Sequence, residues 1–356
     1  MFRGNKELTV TGASDLLRKT LSLALIKIDP ILAMNIAVAQ FEPRDGDKSY
    51  NLSVIEALTQ KAKEQEADLI SFHEMSVTAY TFTKDLNLDE LTELAEVVPG
   101  GRSTQELMRI SSRHDIPVLA GLVEKEGDKL YNTYVAVSGD QLLAKFRKLH
   151  PFINGHLSPG NEYVVFDLLG WKCGILICYD NNIIENVRAT ALSGAELIFA
   201  PHVTGCTPSS MPGRDYVDDE LWENRKDDPV SLRLEFDGPK GRRWLMRWLP
   251  ARAYDNGVYY AFTNPIGYDG DQLKNGNSMI LDPYGELLSE VKSFDDEITV
   301  ARITKEKLKH AGGRRYRNAR RPELYREIIG RDHNPETNPA WMKEQGEGKE
   351  ESGNTA

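Results

Sequence analysis

The sequence predicts an α/β protein whose stacked β-sheets carry helices on their outer faces. Apolar runs of strand length alternate with segments of helical period through the middle of the chain. Elsewhere strands follow one another directly through Gly-Asp turns, as hairpins do. Sheets joined in both ways bury one face on each other and the other under helices. With 356 residues, 40% apolar and 28% charged, the chain can build a core of that size.

Ile36–Phe41 reads as a strand, and 53–66 as a helix with Val54, Leu58 and Ala62 on one face. Asp68–Phe72 reads as a buried strand. Thr104–His114 is a helix with Ser103 as its N-cap. Pro117–Glu124, Leu130–Ser138 and Gln141–Phe146 form a meander through the turns Gly127-Asp128 and Gly139-Asp140. Tyr163–Leu168 pairs with Lys172–Cys178 around Gly170. A helix over Ile183–Ser193 and a strand over Glu196–Ala200 follow. Residues 205–241 are polar, weakly periodic and rich in Pro, Gly and Asp, and they read as one long loop. The pattern resumes with a helix near Gly241–Asn256. Four strands come next: Val258–Asn264, Ser278–Asp282, Leu287–Val291 and Glu297–Arg302. Asp282–Gly285 is a turn, and Lys305–His310 is a short helix.

Residues 1–33 read as an N-terminal extension, 34–330 as one domain and 331–356 as a polar, solvated tail. Lys27, Asp29 and Pro30 break the apolar stretch Leu21–Leu25, and no small-residue cleavage site follows. Neither a membrane span nor a signal peptide is expected. A net charge of -10 argues against nucleic acid and anionic membranes as partners. Cys173, Cys178 and Cys206 are too few for a disulfide framework, which points to the cytoplasm. The histidines lack zinc-ligand spacing, so a structural metal site is not expected, and covalent chemistry by side chains alone would need no metal or organic cofactor.

Cys178 ends the apolar run 174–178, and Tyr179-Asp180-Asn181-Asn182 follow it. Alone, such a cysteine reads as a packed core thiol. Between a strand, a tight turn and a helix it has the setting of a nucleophile elbow, with backbone N–H groups ready for an oxyanion. Glu74 ends the run 67–72 in the same way, after His73. It is either a solvated strand end or, beside a thiol in a dry pocket, the group that takes the thiol proton and passes it to a leaving amine. Lys148, in Phe146-Arg147-Lys148-Leu149-His150, is either a strand-edge lysine or a fixed ammonium for the oxyanion. Together the three are suited to covalent attack on an amide-like carbon.

On these segments the chain resembles the nitrilase (carbon–nitrogen hydrolase) superfamily, roughly from Met34 to Tyr325. The matches are Ala-Asp-Leu-Ile-Ser-Phe-His-Glu-Met at 67–75, Phe-Arg-Lys-Leu-His at 146–150 and Gly-Ile-Leu-Ile-Cys-Tyr-Asp at 174–180. Supporting matches lie at 252–256, 277–283 and 320–325. The resemblance implies a four-layer α-β-β-α sandwich, with 34–330 as the carbon–nitrogen hydrolase domain, and a homodimer or higher homo-oligomer. It also implies Glu74 as base and acid, Cys178 as nucleophile, and an oxyanion hole from Lys148 and the Tyr179 N–H. The arginine-rich run Gly312–Arg321 belongs, on this resemblance, to dimer contacts.

The chain departs from the family's pattern in places. His73 stands where many members carry proline. Asn154-Gly155-His156-Leu157-Ser158-Pro159-Gly160 lacks the second glutamate usual before Pro-Gly, and His156 is its nearest polar substitute. The 205–241 stretch looks longer than usual. Tyr179-Asp180 after the cysteine is closer to the amidase and carbamoylase branches than to nitrile hydrolysers, which often carry Trp-Glu. Carbamoylases for D-amino acids use two arginines where Asn181 and Asn182 stand. A carboxylated substrate therefore needs another cation, such as Arg188, Arg214 or Arg225. His156, Asn181, Asn182, His202, Trp222 and Arg225 are the expected substrate contacts. The expected function is hydrolysis of a small amide or N-carbamoyl compound. The alternatives are a nitrilase and a catalytically silent ligand-binding member.

Overall fold

The computed structural model describes residues 32–333, 338–339 and 341–342. The reading of 1–33 as an extension therefore lies, save Leu32 and Ala33, outside the described residues. β1 (Ala33–Gln40) opens the fold. Its Ile36 and Val38 face the core between the sheets, while Ala37 and Ala39 face the outer helices. α1 (Lys48–Glu64) is capped by Asp47, which accepts the Tyr50 N–H. β2 (Leu69–Ser71), α2 (Leu88–Leu94), α3 (Arg102–His114), β3 (Val118–Glu126), β4 (Lys129–Ser138) and β5 (Gln141–Arg147) follow. Then come β6 (Val165–Leu168), β7 (Trp171–Ile175), α4 (Ile184–Leu192) and β8 (Leu197–Pro201).

Next are α5 (Asp219–Glu223), α6 (Pro229–Asp237), α7 (Arg242–Leu245) and α8 (Leu249–Asn256). β9 (Tyr259–Thr263), β10 (Ile266–Asp269), β11 (Gln272–Asn275), β12 (Met279–Leu281), β13 (Leu287–Glu290) and β14 (Glu297–Thr304) complete the strands. α9 (Lys305–His310), α10 (Gly312–Asn318) and α11 (Arg326–Ile329) end the domain.

One six-stranded sheet has the order β14-β1-β2-β3-β4-β5, the other β13-β12-β9-β8-β7-β6. Each is parallel at its centre and antiparallel at its edges. The sheets meet face to face through Val38, Tyr134, Phe146, Ile175, Tyr260 and Phe262. α1 and α3 cover the first sheet, and α4 and α8 cover the second. The expected α-β-β-α sandwich is the observed one.

The differences have local causes. The 205–241 stretch is not one loop. Asp218 and Asp228 cap α5 and α6, which bury Trp222, Leu232 and Phe236 in a satellite core. These helices are too short to establish a period. The helix expected over 241–256 is broken into α7 and α8, with Pro250 in the first turn of α8. The β10–β11 hairpin and α2, with its Asn87–Glu90 capping box, were absent from the sequence reading. Most of the stretch read as a solvated tail, 331–356, lies outside the described residues; within it Trp341 is 8% exposed and belongs to the apolar cluster of Tyr80, Met75 and Val203.

Candidate active site

Glu74, Lys148 and Cys178 come from three separate strand ends and meet in the interior. They are 0%, 1% and 7% exposed, so little water reaches them. β2 ends at Ser71, and the chain then turns at Glu74 and Met75, where Met75 has φ 47°. The turn is held by Phe72, whose carbonyl accepts from the Tyr134 hydroxyl at 2.6 Å and the Thr263 hydroxyl at 2.7 Å. On β5, Lys145 and Arg147 point to Glu124. Lys148, one residue on, turns the other way and donates from Nζ to Glu74 Oε1 at 2.6 Å. Its backbone is clamped on both sides: Lys148 N donates to Asn132 O at 2.9 Å, and Gly160 N donates to Lys148 O at 2.8 Å.

Asn132 also donates from Nδ2 to Glu74 Oε1 at 2.6 Å. Thus Oε1 holds two donors, while the buried Oε2 has no hydrogen-bond partner. A carboxylate oxygen kept dry and unoccupied is a proton acceptor in waiting.

Cys178 follows the end of β7 with φ 47°, in the left-handed region that a non-glycine residue rarely occupies. This is the expected elbow, continued by a 3₁₀ turn over Cys178–Asn181 before α4 begins. The buried Asp180 carboxylate braces it, accepting from Ile177 N at 3.2 Å, His150 N at 2.9 Å and Leu149 N at 3.2 Å. One side chain thereby ties the nucleophile turn to the lysine segment. Burial, reinforced by the Glu74 charge, pushes the Cys178 thiol up to about 12. Burial opposes the Lys148 charge, but Glu74 and other neighbours hold its ammonium well above the ordinary range. The resting site is a neutral thiol beside a lysine ammonium. Among the described residues the Tyr179 N–H finds no protein acceptor, so it is available to an oxyanion.

The substrate contacts expected from sequence fare unevenly. His156 is exposed, and the buried polar residue of its loop is Asn154, which donates to Thr83 O and Leu86 O at 2.8 Å. His156 therefore does not replace the second glutamate. Asn181 is structural: its Nδ2 donates to Leu176 O and Cys178 O, and its Oδ1 accepts from Tyr260. Asn182 is held through its backbone: its N–H donates to Tyr179 O at 3.0 Å and its carbonyl accepts from Arg252 at 2.9 Å. Trp222 sits in the satellite core, with Arg225 stacked 4.0 Å over its ring, and the contacts of neither reach the triad. Of the expected set His202 lies near Lys148 and, unlike Asn181, keeps a side-chain nitrogen unpartnered. It is buried against Phe262 and Trp248, donates from Nδ1 to Ala200 O at 2.8 Å and leaves Nε2 unpartnered. Burial and the Lys148 charge push it down to about 3.

Two residues escaped the sequence reading. Asn132 was recognisable as the amide inside the apolar run of β4. Tyr80 carried no signal, because the fold alone brings it in. Its ring lies 5.1 Å from Lys148 Nζ, and its buried hydroxyl feels the charges of Lys148, Glu74 and Cys178.

Known proteins resemble this chain in sequence and in fold. A family model described as carbon-nitrogen hydrolase matches residues 35–311. A nitrilase from Pyrococcus abyssi is 29% identical over 273 residues, which span 76% of this chain and 89% of that protein. A 2-oxoglutaramate amidase from Bacillus subtilis is 29% identical over 262 residues, 72% of this chain and 85% of its own. An amidase from Nesterenkonia sp. AN1, solved in complex with butyramide, is similar in fold with a TM-score of 0.62. Its identity is 22%, over 83% of this chain and 97% of that one. The match of the family model across most of the sandwich, with the three strand-end residues inside it, means that the chain belongs to the carbon–nitrogen hydrolase family.

Proposed function

We propose that the protein hydrolyses the C–N bond of small linear amides through a thioester on Cys178. The observation that carries this reading is the strained Cys178 elbow beside a Glu74–Lys148 pair whose second carboxylate oxygen is unoccupied. Sγ attacks the amide carbon as the thiol proton passes to Glu74 Oε2. The carbonyl oxygen becomes an oxyanion held by Lys148 Nζ and the Tyr179 N–H. The C–N bond breaks, and the nitrogen leaves as ammonia or amine with the proton from Glu74. Water then attacks the thioester, loses a proton to Glu74 and releases the acid, and the proton returns to sulfur. The closed site supports a small substrate, and the relatives named as amidases support the amide.

Ammonia release from a panel of simple amides, nitriles and N-carbamoyl amino acids tests this. The wild type should turn over amides fastest, and Cys178→Ala should lose turnover while keeping its melting temperature. Activity retained in that variant, or nitriles preferred over amides, overturns the reading.

We further infer that the protein is a homodimer. Exposed Ile184 on α4 and Ile329 on α11 line one surface groove with Tyr325, and Leu192 on α4, Tyr254 on α8 and Ile328 on α11 are exposed as well. Sedimentation velocity should report a dimer, and Ile184→Glu should convert it to monomer. A wild-type monomer at micromolar concentration contradicts the inference.

A further inference from the structure

From Arg314 to Met342 the described residues are exposed or half-buried, with one exception. Trp341 is 8% exposed. Met342, half-buried, packs on the same neighbours. An indole is among the largest apolar groups a residue can bury. A single buried tryptophan in an otherwise exposed stretch therefore fixes its segment at one point.

That point lies beside the triad. Trp341 joins Met75, Tyr80, Ile153, Leu157 and Val203 in one buried cluster, with Phe152 packed against it. Each triad residue borders on this cluster. Cys178 Sγ donates to Val203 O at 3.9 Å. The Tyr80 and Phe152 rings each lie 5.1 Å from Lys148 Nζ. The Phe152 ring also meets that of Tyr179 edge-on, with centroids 5.7 Å apart. Met75 follows Glu74 directly. A substrate bonded to Cys178, with its oxygen at Lys148 and the Tyr179 N–H, has this cluster as its apolar surroundings.

We propose that Trp341 is a specificity-determining residue: its indole closes the apolar wall of the pocket for the acyl group and sets the longest acyl chain that fits. The inference rests on the amidase reading of the triad. Side chains in such a cluster are close-packed, and a wall of them does not widen without cost. Removing the indole leaves a space that a longer acyl chain can fill. The size limit thus comes from the C-terminal segment and not from the loops between the strands.

The test compares propionamide with hexanamide, which differ only in the length of the acyl chain. In the wild type kcat/KM should be higher for propionamide. The hexanamide-to-propionamide ratio should rise on the order of 10-fold in Trp341→Ala, the lower end of what one methylene is worth in a hydrophobic pocket. It should rise less in Trp341→Phe. A role in packing alone would lower both rates and the melting temperature together; an unchanged ratio in the folded variant overturns the proposal. Where Trp341→Ala does not fold, Trp341→Leu carries the same comparison. Labelling of Cys178, read by peptide mass, needs no turnover. Its rate with N-phenylmaleimide relative to N-ethylmaleimide should also rise in Trp341→Ala, and no rise removes the wall whether or not amides are hydrolysed. If the wild type hydrolyses no amide but the labelling ratio does rise, the amidase reading fails and the wall stands.

Discussion

Glu74 divides its two oxygens between two tasks. Oε1 is bonded to Lys148 and Asn132, and Oε2, without a hydrogen-bond partner, is the oxygen that takes the Cys178 proton in the proposed mechanism. With the thiol pushed up to about 12, a standing thiolate is negligible at neutral pH, so the proposed attack requires Glu74 to remove the proton in the same step. This gives a distinct expectation for alkylation. Inactivation by iodoacetamide should be nearly flat between pH 6 and 9 in the wild type. In Glu74→Gln it should be slower at pH 7 by a factor on the order of 100 and rise about tenfold per pH unit, because only the free thiolate then reacts. A wild-type rate that also climbs tenfold per unit would falsify general-base activation. Lys148→Met should lower kcat and kcat/KM together, as expected for a contact made in the transition state. Residue type alone misled at Asn181. An amide beside the nucleophile looks like a ligand for substrate, but here it is consumed by the backbone of its own turn.

At the scale of elements, the site depends on how closely β3 approaches the turn that carries Glu74. A Cβ on Gly121 would fall 2.3 Å from Met75 N and 3.2 Å from Glu74 C. Both neighbours are backbone, so the turn itself must move. Gly121→Ala should therefore cut kcat/KM by at least about tenfold through displacement of the carboxylate. Its loss of stability should be no more than the 1–3 kcal/mol typical of overpacking. Wild-type activity in that variant would mean that the Glu74 position tolerates the shift. The same closeness explains Pro159-Gly160: a Cβ on Gly160 would lie 2.3 Å from Arg147 O, on the segment that aims Lys148.

The whole molecule encloses neutral histidines, and this links its stability to pH. Burial pushes His73 down to about 4 and His202 to about 3, against an ordinary value near 6.5. Above pH 6.5 both folded and unfolded chains carry these rings neutral, and the stabilisation is fully present. As pH falls from 6.5 toward 4, the unfolded chain takes up protons that the folded one refuses. Stability is then lost, by up to about 1.4 kcal/mol per pH unit for each ring. Carboxylates titrate in the same window, so the measurement is a difference. The stability gap between the wild type and His202→Gln in urea should narrow by about that slope between pH 6 and 4. A gap independent of pH would show that His202 is protonated in the fold.

The sequence by itself determined the sandwich and the strand ends that carry Glu74, Lys148 and Cys178. Strand period, turn residues and the positions of Glu74, Lys148 and Cys178 at strand ends are local properties, and each leaves its mark within a few residues. Only the tertiary structure decided what surrounds the triad. Tyr80 and Asn132 reach Lys148 and Glu74 from other elements, Trp341 joins the apolar cluster that holds Tyr80 and Met75, and His156 turns out to solvent. Whether a polar side chain serves a substrate depends on which of its atoms the fold has already satisfied. For Asn181 that is settled by the carbonyls of its own turn, and for Asn132 by Glu74, 58 residues away in sequence.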